Sequence, residues 1–275
     1  MVKKSSFLKN LIKGVRLRIK DLLTNKKDEF KISWFDEKYL KHLPANKIHF
    51  YKLLGREFSF RGGPDFLNGL QEIFVNKIYY QSLPENAYVI DCGAHIGMSM
   101  IYFKMICPSA RILCFEPDKM NFELLQTNIK TYKTEKVTAY NMAVWTKDSF
   151  LNFEMDGNMS SRILENQSSG SKVKACRLAD FLTEKVYLLK MDIEGAEYEV
   201  LRDIYPKLNN VVRMFIEYHG SFNQNKELIE ILQIINDSGF HFYIKEAGPV
   251  YPHPFTGIRG NSIYDLQLNI FCMRD

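Results

Sequence analysis

Residues 87–97 read Ala-Tyr-Val-Ile-Asp-Cys-Gly-Ala-His-Ile-Gly. The apolar, β-branched run over 88–90 is typical of a strand that is buried on both faces of a sheet. The run ends at Asp91, the chain then passes Gly93 and Gly97, and an apolar helical stretch follows. A strand that stops at a carboxylate, turns through glycines and enters a helix predicts the first crossover of an open α/β sheet.

A second acid indicates which ligand this turn would bind. Residues 111–117 predict another buried strand that ends at Glu116. Glu116 lies about twenty residues after the glycine turn, where nucleoside-binding sheets place a carboxylate that binds ribose hydroxyls. The dinucleotide fingerprint has its middle glycine where this chain has His95, which leaves less room for a pyrophosphate. The pattern therefore favours S-adenosylmethionine over NAD, and a nicotinamide-dependent oxidoreductase is the enzyme alternative.

The charge of the chain is concentrated at its N-terminus. Residues 1–31 contain ten basic and three acidic residues, a net charge of +7, whereas residues 32–275 contain 27 basic and 29 acidic residues, a net charge of −2. A globular part that is slightly acidic has no bulk attraction to nucleic acid. We therefore expect no nucleic-acid partner.

The cysteines and the hydropathy pattern predict a compartment. Five cysteines without a Cys-x-x-Cys pair indicate reduced, mostly buried thiols and a cytoplasmic protein. No stretch approaches eighteen uncharged apolar residues, so no membrane span is predicted. Basic residues interrupt the apolar positions near the N-terminus, which is not typical of a signal peptide.

The first 82 residues precede the sheet. Residues 5–25 have apolar positions at helical spacing with basic residues between them, which predicts an amphipathic helix. That helix would pack on the domain or on a second subunit, or lie on the anionic inner membrane surface. Residues 47–61 predict a hairpin and residues 65–81 a helix. We thus divide the chain into a basic tail (1–31), a cap (32–82) and a catalytic domain (83–275).

Strands and helices alternate through the catalytic domain. Further strands are expected at 137–145, 150–155, 173–177, 187–192, 211–218, 241–245 and 266–273, and helices at 118–130, 196–204 and 226–238. Residues 156–171, which are rich in Gly, Ser and Asn, predict a mobile loop that closes over the acceptor and offers Arg162 to it. The order predicts a doubly wound α/β sheet of seven strands that ends in an antiparallel hairpin.

Several segments together resemble the FkbM family of S-adenosylmethionine-dependent methyltransferases. The matching segments are Val-Ile-Asp-Cys-Gly-Ala-His-Ile-Gly (89–97), Phe-Glu-Pro-Asp (115–118) with Asn128, Asn-Met-Ala-Val-Trp (141–145), Lys-Met-Asp-Ile-Glu-Gly-Ala-Glu (190–197) and Phe-Ile-Glu-Tyr-His (215–219). The resemblance runs from about residue 60 to the end and implies a Rossmann-like fold of the class I methyltransferase type. It also implies O-methylation, commonly of sugars in surface glycans or of natural products. It departs at His95, where the family often has Asn, and at residues 178–180, where Leu-Ala-Asp replaces Leu-Asp-Asp.

The strand, glycine turn and acid predict where the cofactor binds. We expect S-adenosylmethionine at the turn and at Glu116, with residues 141–144 near the adenine. The full predicted set is Asp91, Gly93, Ala94, Gly97, Glu116, Asn141, Ala143, Val144 and Asp192. A module that binds this cofactor without catalysis is the non-enzyme alternative.

Two pairs of ionisable residues are expected at the carboxyl ends of neighbouring strands. Asp192 and Glu194 follow one strand, and Glu217 and His219 end the next, each pair at the i, i+2 spacing that puts both side chains on one face. Transfer to a sugar hydroxyl needs a group that accepts its proton. We predict His219 as the base, because its ordinary pKa is close to neutral, with Asp192 next and Glu217 beside them.

The same residues have other interpretations. Asp192, Glu194, Glu217 and His219 are also ligands that a hard divalent cation would accept, an interpretation we rank below a metal-free site. Glu194 and Glu197 would alternatively cap the helix that follows them. The predicted acceptor is a sugar or a small molecule, and whether it is linked to a lipid is left open.

Overall fold

The computed structural model describes residues 30–155, 161–164, 171–260 and 262–274. The helix that we predict over residues 5–25 lies outside the described residues. In the part of the chain that the structure describes, no helix is both long enough and apolar enough to cross a membrane. All five cysteines are free and buried, as predicted.

A seven-stranded sheet forms the centre of the molecule and confirms the predicted fold class. Its strands are β3 Tyr88–Cys92, β4 Arg111–Phe115, β5 Val137–Tyr140, β10 Leu188–Met191, β11 Arg213–Gly220, β12 His241–Glu246 and β13 Leu266–Met273. Their order across the sheet is β12-β13-β11-β10-β3-β4-β5. Strand β13 runs antiparallel to both of its neighbours, β11 and β12, and forms the predicted terminal hairpin with β12.

Helices cover both faces of this sheet. They are α3 Met98–Ile106, α4 Lys119–Tyr132, α5 Glu197–Ile204 and α6 Asn225–Asp237. The side chain of Asp118 accepts a hydrogen bond from the amide of Asn121 and caps α4. Helices α5 and α6 pack on one face, and α3, α4 and the N-terminal segment pack on the other. The sheet is therefore buried on both sides, which explains its continuous apolar runs.

The predicted strand over residues 137–145 is wrong in one respect, because two strands share this stretch. Strand β5 ends at Tyr140, and β6 (Ala143–Trp145) belongs to a second sheet of order β6-β9-β7-β8. Between them, the side-chain amide of Asn141 donates to the carbonyls of Glu116 and Pro117, both at 2.9 Å. These bonds hold the chain at the end of β4 and turn it away from the central sheet.

The second sheet also corrects the predicted loop over residues 156–171. Its other strands are β7 Ser149–Met155, β8 Ser161–Leu164 and β9 Ser171–Arg177. Strand β8 pairs antiparallel with β7, with residue 162 opposite residue 154, so this part is a strand and not a loop. Backbone pairing has prevailed over the turn-forming composition. The remaining parts of the predicted loop, 156–160 and 165–170, lie outside the described residues.

The predicted cap contains the expected hairpin and a shorter helix than expected. Helix α1 (Trp34–Leu40) precedes the hairpin of β1 (His49–Leu53) and β2 (Arg56–Phe60). Helix α2 (Gly63–Gly69) continues as one π-helical segment, Leu70–Val75, and does not reach residue 81. Apolar residues of the cap share one buried cluster with α3, α4 and the sheet. The division at residue 82 stays a prediction.

Candidate active site

A cavity lies between the cap and the carboxyl ends of the central strands. Its wall combines residues of α2 and the π-helical segment with residues in or just after the carboxyl-terminal parts of β3, β4, β10 and β11. This is the position where open α/β sheets bind ligands. Polar members of the wall are Asp65, Glu72, His95, Ser99, Glu116, Asn121, Lys190, Asp192, Glu194 and Glu217.

The glycine turn after β3 needs its glycines for space as well as for conformation. Gly93 has a φ of +79°, and a Cβ there would lie 1.9 Å from the carbonyl oxygen of Asp192. Gly97 has a φ of +92°, and its Cβ would lie 2.7 Å from Cδ1 of Leu125. Both positions have a left-handed backbone that favours glycine, and at Gly93 the close contact is with fixed backbone, whereas at Gly97 it is with the end of a side chain that can move.

Glu116 closes the other side of the turn. Its carboxylate accepts hydrogen bonds from the backbone amides of His95, at 2.8 Å, and Asp118, at 2.9 Å. Burial raises the pKa of Glu116 to about 8, although these two bonds act in the opposite direction. Burial lowers the pKa of the His95 imidazole to about 4, so His95 is neutral. The turn after β3 and the acid after β4 thus meet directly, as predicted.

A buried lysine links the ends of β3 and β10. The ammonium Nζ of Lys190 lies 3.2 Å from Oδ1 of Asp91 and 3.4 Å from Oδ2 of Asp192, and it donates to the carbonyl of Gly93 at 2.9 Å. Burial alone would lower the pKa of Lys190, but the two carboxylates hold it well above its ordinary value. Asp91 also accepts a hydrogen bond from the hydroxyl of Ser99. Lys190 therefore fixes the two strand ends to the glycine turn.

His219 lies among three carboxylates at the end of β11. Its Nδ1 is 3.2 Å from Oε1 of Glu197, and its Nε2 is 3.7 Å from Oε2 of Glu194 and 3.6 Å from Oε1 of Glu217. Only 2% of the His219 side chain is exposed. Burial opposes protonation, yet Glu197 and Glu217 raise the pKa of His219 well above its ordinary value. The surrounding carboxylates therefore favour the imidazolium form of His219.

Glu197 does not cap α5 as the alternative predicted, because the N-terminus of α5 has no side-chain cap hydrogen bond; its side chain holds the preceding loop instead. Its carboxylate accepts hydrogen bonds from the amides of Ile193 and Gly195, just before α5. Glu194 itself has a φ of +57°, an unusual backbone conformation for a residue with a side chain. Burial raises the pKa of Glu194 to about 7 and also raises that of Glu217.

The structure brings the predicted site residues together, but not all of them face the cavity. Gly93, Ala94, Glu116, Ala143, Val144, Asp192, Glu194 and Glu217 belong to its wall. Four predicted residues, Asp91, Gly97, Asn141 and His219, lie behind the wall that the described residues form. Asp91 contacts Lys190, Gly97 begins α3, and Asn141 holds the loop after β4. These four support the residues in front of them.

Sequence reasoning missed residues on both sides of the cavity. Lys190 could have been predicted from the sequence, because it precedes Asp192 by two positions and residues at that spacing lie on the same face of a strand. Glu72 and Tyr79 come from the cap and have no motif around them. Burial and the charges of Glu217 and Asp192 raise the pKa of Glu72 to about 7. Glu72 belongs to the same cavity wall as these two carboxylates.

Comparisons with known proteins agree with this architecture. A family model described as the methyltransferase FkbM domain matches residues 91–242. Methyltransferase 1 of Beauveria bassiana (strain ARSEF 2860) is 31% identical over 193 residues, which cover 58% of this chain and 77% of that protein. The 31-O-demethyl-FK506 methyltransferase FkbM of Streptomyces tacrolimicus is 22% identical over 224 residues, 66% of this chain and 84% of that protein.

Among solved structures, the methyltransferase FkbM from Methylobacillus flagellatus KT aligns with a TM-score of 0.46 and 17% identity. The alignment covers 68% of this chain and 44% of the solved chain, so this chain spans less than half of that protein's length.

The strand order, the glycine turn and the buried acid after β4 form a Rossmann-like nucleoside-binding sheet, and together with the family model they identify a class I S-adenosylmethionine-dependent methyltransferase. The family model covers more than half of the chain, and the Beauveria relative is matched over most of its own length. The chain belongs to the FkbM methyltransferase family. This membership rules out the nicotinamide-dependent alternative.

Proposed function

We propose that this enzyme methylates a hydroxyl group of a sugar, a glycan or another natural product. The observation that carries the proposal is the concentration of carboxylates at one end of the cavity, where Glu72, Asp192, Glu194 and Glu217 all belong to the wall. Ionised carboxylates are strong hydrogen-bond acceptors for hydroxyl groups. A relative, by its printed name, acts on a demethylated oxygen of a natural product. The carboxylate-rich end is the proposed acceptor subsite.

S-adenosylmethionine would occupy the other end. The ribose hydroxyls would donate to Glu116, and residues 142–144, which line the same region, would contact the adenine. Gly93 and Ala94 would allow the ligand to approach the backbone. Asp192 is ion-paired with Lys190, which also donates to the carbonyl of Gly93 in the glycine turn, and is the proposed contact to the reactive part of the cofactor.

The reaction needs one proton acceptor. The acceptor oxygen forms a bond to the methyl carbon while the carbon–sulfur bond breaks, the electron pair of that bond stays on sulfur, and the hydroxyl proton leaves to a base. We assign the base to Glu217, because its carboxylate belongs to the cavity wall and its ion-pair partner among the described residues is His219, at 3.6 Å, and not a lysine or arginine. Asp192 is paired with Lys190, and His219 is occluded.

The cofactor half of the proposal is tested on Glu116. We expect Glu116→Ala to weaken S-adenosylmethionine binding by about 1–3 kcal/mol, because charge-assisted hydrogen bonds to the ribose are lost. Calorimetric titration measures this change. Glu123→Ala, which changes an exposed acid of α4, is the control and should bind normally. An unchanged affinity in folded Glu116→Ala protein would remove Glu116 from the cofactor site.

The same titration has an expected pH dependence. The ribose needs the ionised carboxylate, and the pKa of Glu116 is raised to about 8, so below that pH binding must release a proton. Affinity should therefore fall as the pH falls, by at most about tenfold per pH unit. Glu116→Gln, which does not titrate, should remove this contribution. A wild-type profile that matches that of Glu116→Gln would contradict the assignment.

The acceptor half is tested by following radioactive methyl transfer from S-adenosylmethionine to sugars, lipid-linked sugars and natural-product hydroxyls. Glu217→Gln should reduce the turnover number by about 10²–10⁴-fold, the usual range for loss of a general base, while cofactor affinity is retained. Transfer to amines but to none of the hydroxyl acceptors would refute the proposed acceptor class. Cofactor binding without transfer to any acceptor would favour the non-catalytic alternative.

We further propose that the basic tail holds the enzyme on the cytoplasmic membrane surface. Next to the tail, α1 exposes Trp34, Phe35 and Tyr39 at 64%, 77% and 62%. Aromatic residues beside basic ones suit an anionic lipid surface, where each Lys or Arg contributes about 1 kcal/mol. A lipid-linked acceptor would then be concentrated near the active site.

Co-sedimentation with anionic liposomes tests this contact on the full chain. Wild-type protein should pellet at low salt and be released at high salt, since surface charges are screened. The double variant Trp34→Ser, Phe35→Ser should pellet less, whereas Phe255→Ser, which changes an exposed aromatic residue of the 3₁₀ turn Pro254–Thr256, should behave as wild type. Protein that stays in solution at low salt would favour a tail that packs on the cap or forms a homodimer.

A further inference from the structure

We propose that Asp192, Glu194 and His219 bind a divalent metal ion at the carboxylate-rich end of the cavity. One ligand atom from each residue lies within 4.8 Å of the other two. Bonds of about 2.0–2.4 Å from a shared ion reach atoms at such separations. An imidazole and two carboxylates form a ligand set that Mn²⁺ and related divalent ions accept.

The imidazole has the orientation of a metal ligand. Its Nδ1 faces Glu197, whose side chain is 1% exposed and is fixed by backbone amides. Its Nε2 faces Glu194 and Glu217 at 3.7 and 3.6 Å, distances too long for good hydrogen bonds. Metal-binding histidines almost always donate their other ring nitrogen to a carboxylate in this way. Binding of the ion would displace the imidazole proton.

The two carboxylate ligands also have orienting partners. The hydroxyl of Tyr264 lies 3.3 Å from Oε2 of Glu194 and 3.2 Å from the backbone carbonyl oxygen of Glu194, and its single proton is shared between these two acceptors. Asp192 is held by Lys190 through Oδ2, which leaves its other oxygen available. All three candidate ligands thus have the supporting contacts that fix ligands in metal sites.

A separate observation points to a ligand at this place. Asn269 of β13 lies directly opposite Glu217 in the antiparallel pair, so the two side chains are neighbours on one face of the sheet. Asn269 is 1% exposed, and its Oδ1 has no hydrogen-bond partner among the described residues. A buried amide oxygen without a partner costs free energy. A water or hydroxyl bound to the ion would supply the missing donor.

The site is open on the cavity side. His219 is buried, whereas the side chains of Asp192 and Glu194 are 26% and 27% exposed, and both belong to the cavity wall. Positions left open to solvent distinguish catalytic metal sites from closed structural ones. The role of the ion, though not its binding, rests on the proposed function. It would hold oxygens of the acceptor and lower the pKa of the reacting hydroxyl, whose proton then passes to Glu217.

The test uses the full chain, stripped with EDTA and dialysed, and titrated with Mn²⁺ while free Mn²⁺ is followed by electron paramagnetic resonance. We expect a single Mn²⁺ site per chain, for which Mg²⁺ competes. Glu194→Gln and Asp192→Asn should each weaken Mn²⁺ binding by about tenfold or more. Glu246→Gln, which removes one exposed carboxylate of β12, should bind as wild type. Tyr264→Phe keeps all three ligands and should weaken binding by a smaller factor.

Two outcomes would overturn the metal site: no binding at about 1 mM Mn²⁺, the weak end of protein sites for divalent ions, or equal binding by wild type and Glu194→Gln. Thermal unfolding of each variant separates loss of ligands from loss of fold. Methyl transfer that persists after EDTA treatment, together with no Mn²⁺ binding, would refute the metal and leave the proposed function intact. Mn²⁺ binding without methyl transfer to any acceptor would refute the proposed function and leave the metal site intact.

Discussion

Lys190→Met is expected to lower the free energy of unfolding by about 3–5 kcal/mol, the cost of breaking a buried ion pair by removing one partner. Lys190 is 3% exposed and Asp91 is fully buried, so the substitution leaves the Asp91 carboxylate without its cation. The hydrogen bond from Ser99 would remain, but it does not neutralise the charge. Urea denaturation followed by circular dichroism measures the change.

A double variant shows whether the buried charge is the cause. Lys190→Met combined with Asp91→Asn removes both charges and should be more stable than Lys190→Met alone, since the unpaired carboxylate is gone. Lys207→Met, which changes an exposed lysine of the 3₁₀ turn Tyr205–Asn210, should stay within about 0.5 kcal/mol of wild type. A loss below about 1 kcal/mol for Lys190→Met would mean that Asp91 is stabilised without Lys190.

Gly93→Ala is expected to destabilise the protein by roughly 2–5 kcal/mol and to remove cofactor binding. The backbone there is left-handed, which costs an alanine about 1–2 kcal/mol, and overpacking adds about 1–3 kcal/mol. The new methyl group would lie 1.9 Å from the carbonyl oxygen of Asp192, so either β3 or β10 must shift at its end. Denaturation and calorimetric titration with S-adenosylmethionine measure the two effects.

Gly239→Ala provides a matched control for the backbone conformation. Gly239 has a φ of +78°, close to the +79° of Gly93, but nothing lies within 4 Å of its Cβ position. It should therefore show the conformational cost alone, and the difference between the variants gives the cost of the close contact. Equal destabilisation by both substitutions would show that the strand ends adjust freely.

Local sequence was sufficient for the fold class and for the cofactor end of the site. The apolar strand, Asp91, Gly93 and Glu116 follow one another within about thirty residues, the length of a single strand–helix–strand unit. A right-handed crossover leaves few arrangements for such a unit, so the turn and the acid must meet at one sheet edge. The structure confirms this with the 2.8 Å hydrogen bond between the amide of His95 and Glu116.

Other features depended on contacts between distant parts of the chain. The strand over 137–145 divides because Asn141 binds carbonyls at the end of β4, which no local periodicity reveals. Glu72 and Tyr79 reach the cavity only because the cap packs on the sheet. Residues 161–164 form a strand because β7 provides its hydrogen bonds. Propensity describes the chain near a residue, whereas these outcomes depend on partners far away in sequence.

The surroundings of His219 show the same division. The sequence by itself determined that Asp192, Glu194, Glu217 and His219 would meet, because parallel strands bring their carboxyl ends to one edge. Only the tertiary structure decided that Glu197 reaches Nδ1 of His219, that this side chain is occluded and that its pKa is raised. An ordinary pKa describes a solvated group, while burial and neighbouring charges set it in the fold. The sequence therefore determined which ionisable residues meet at this edge of the sheet, whereas the tertiary packing decided which of them are buried and how their pKa values shift.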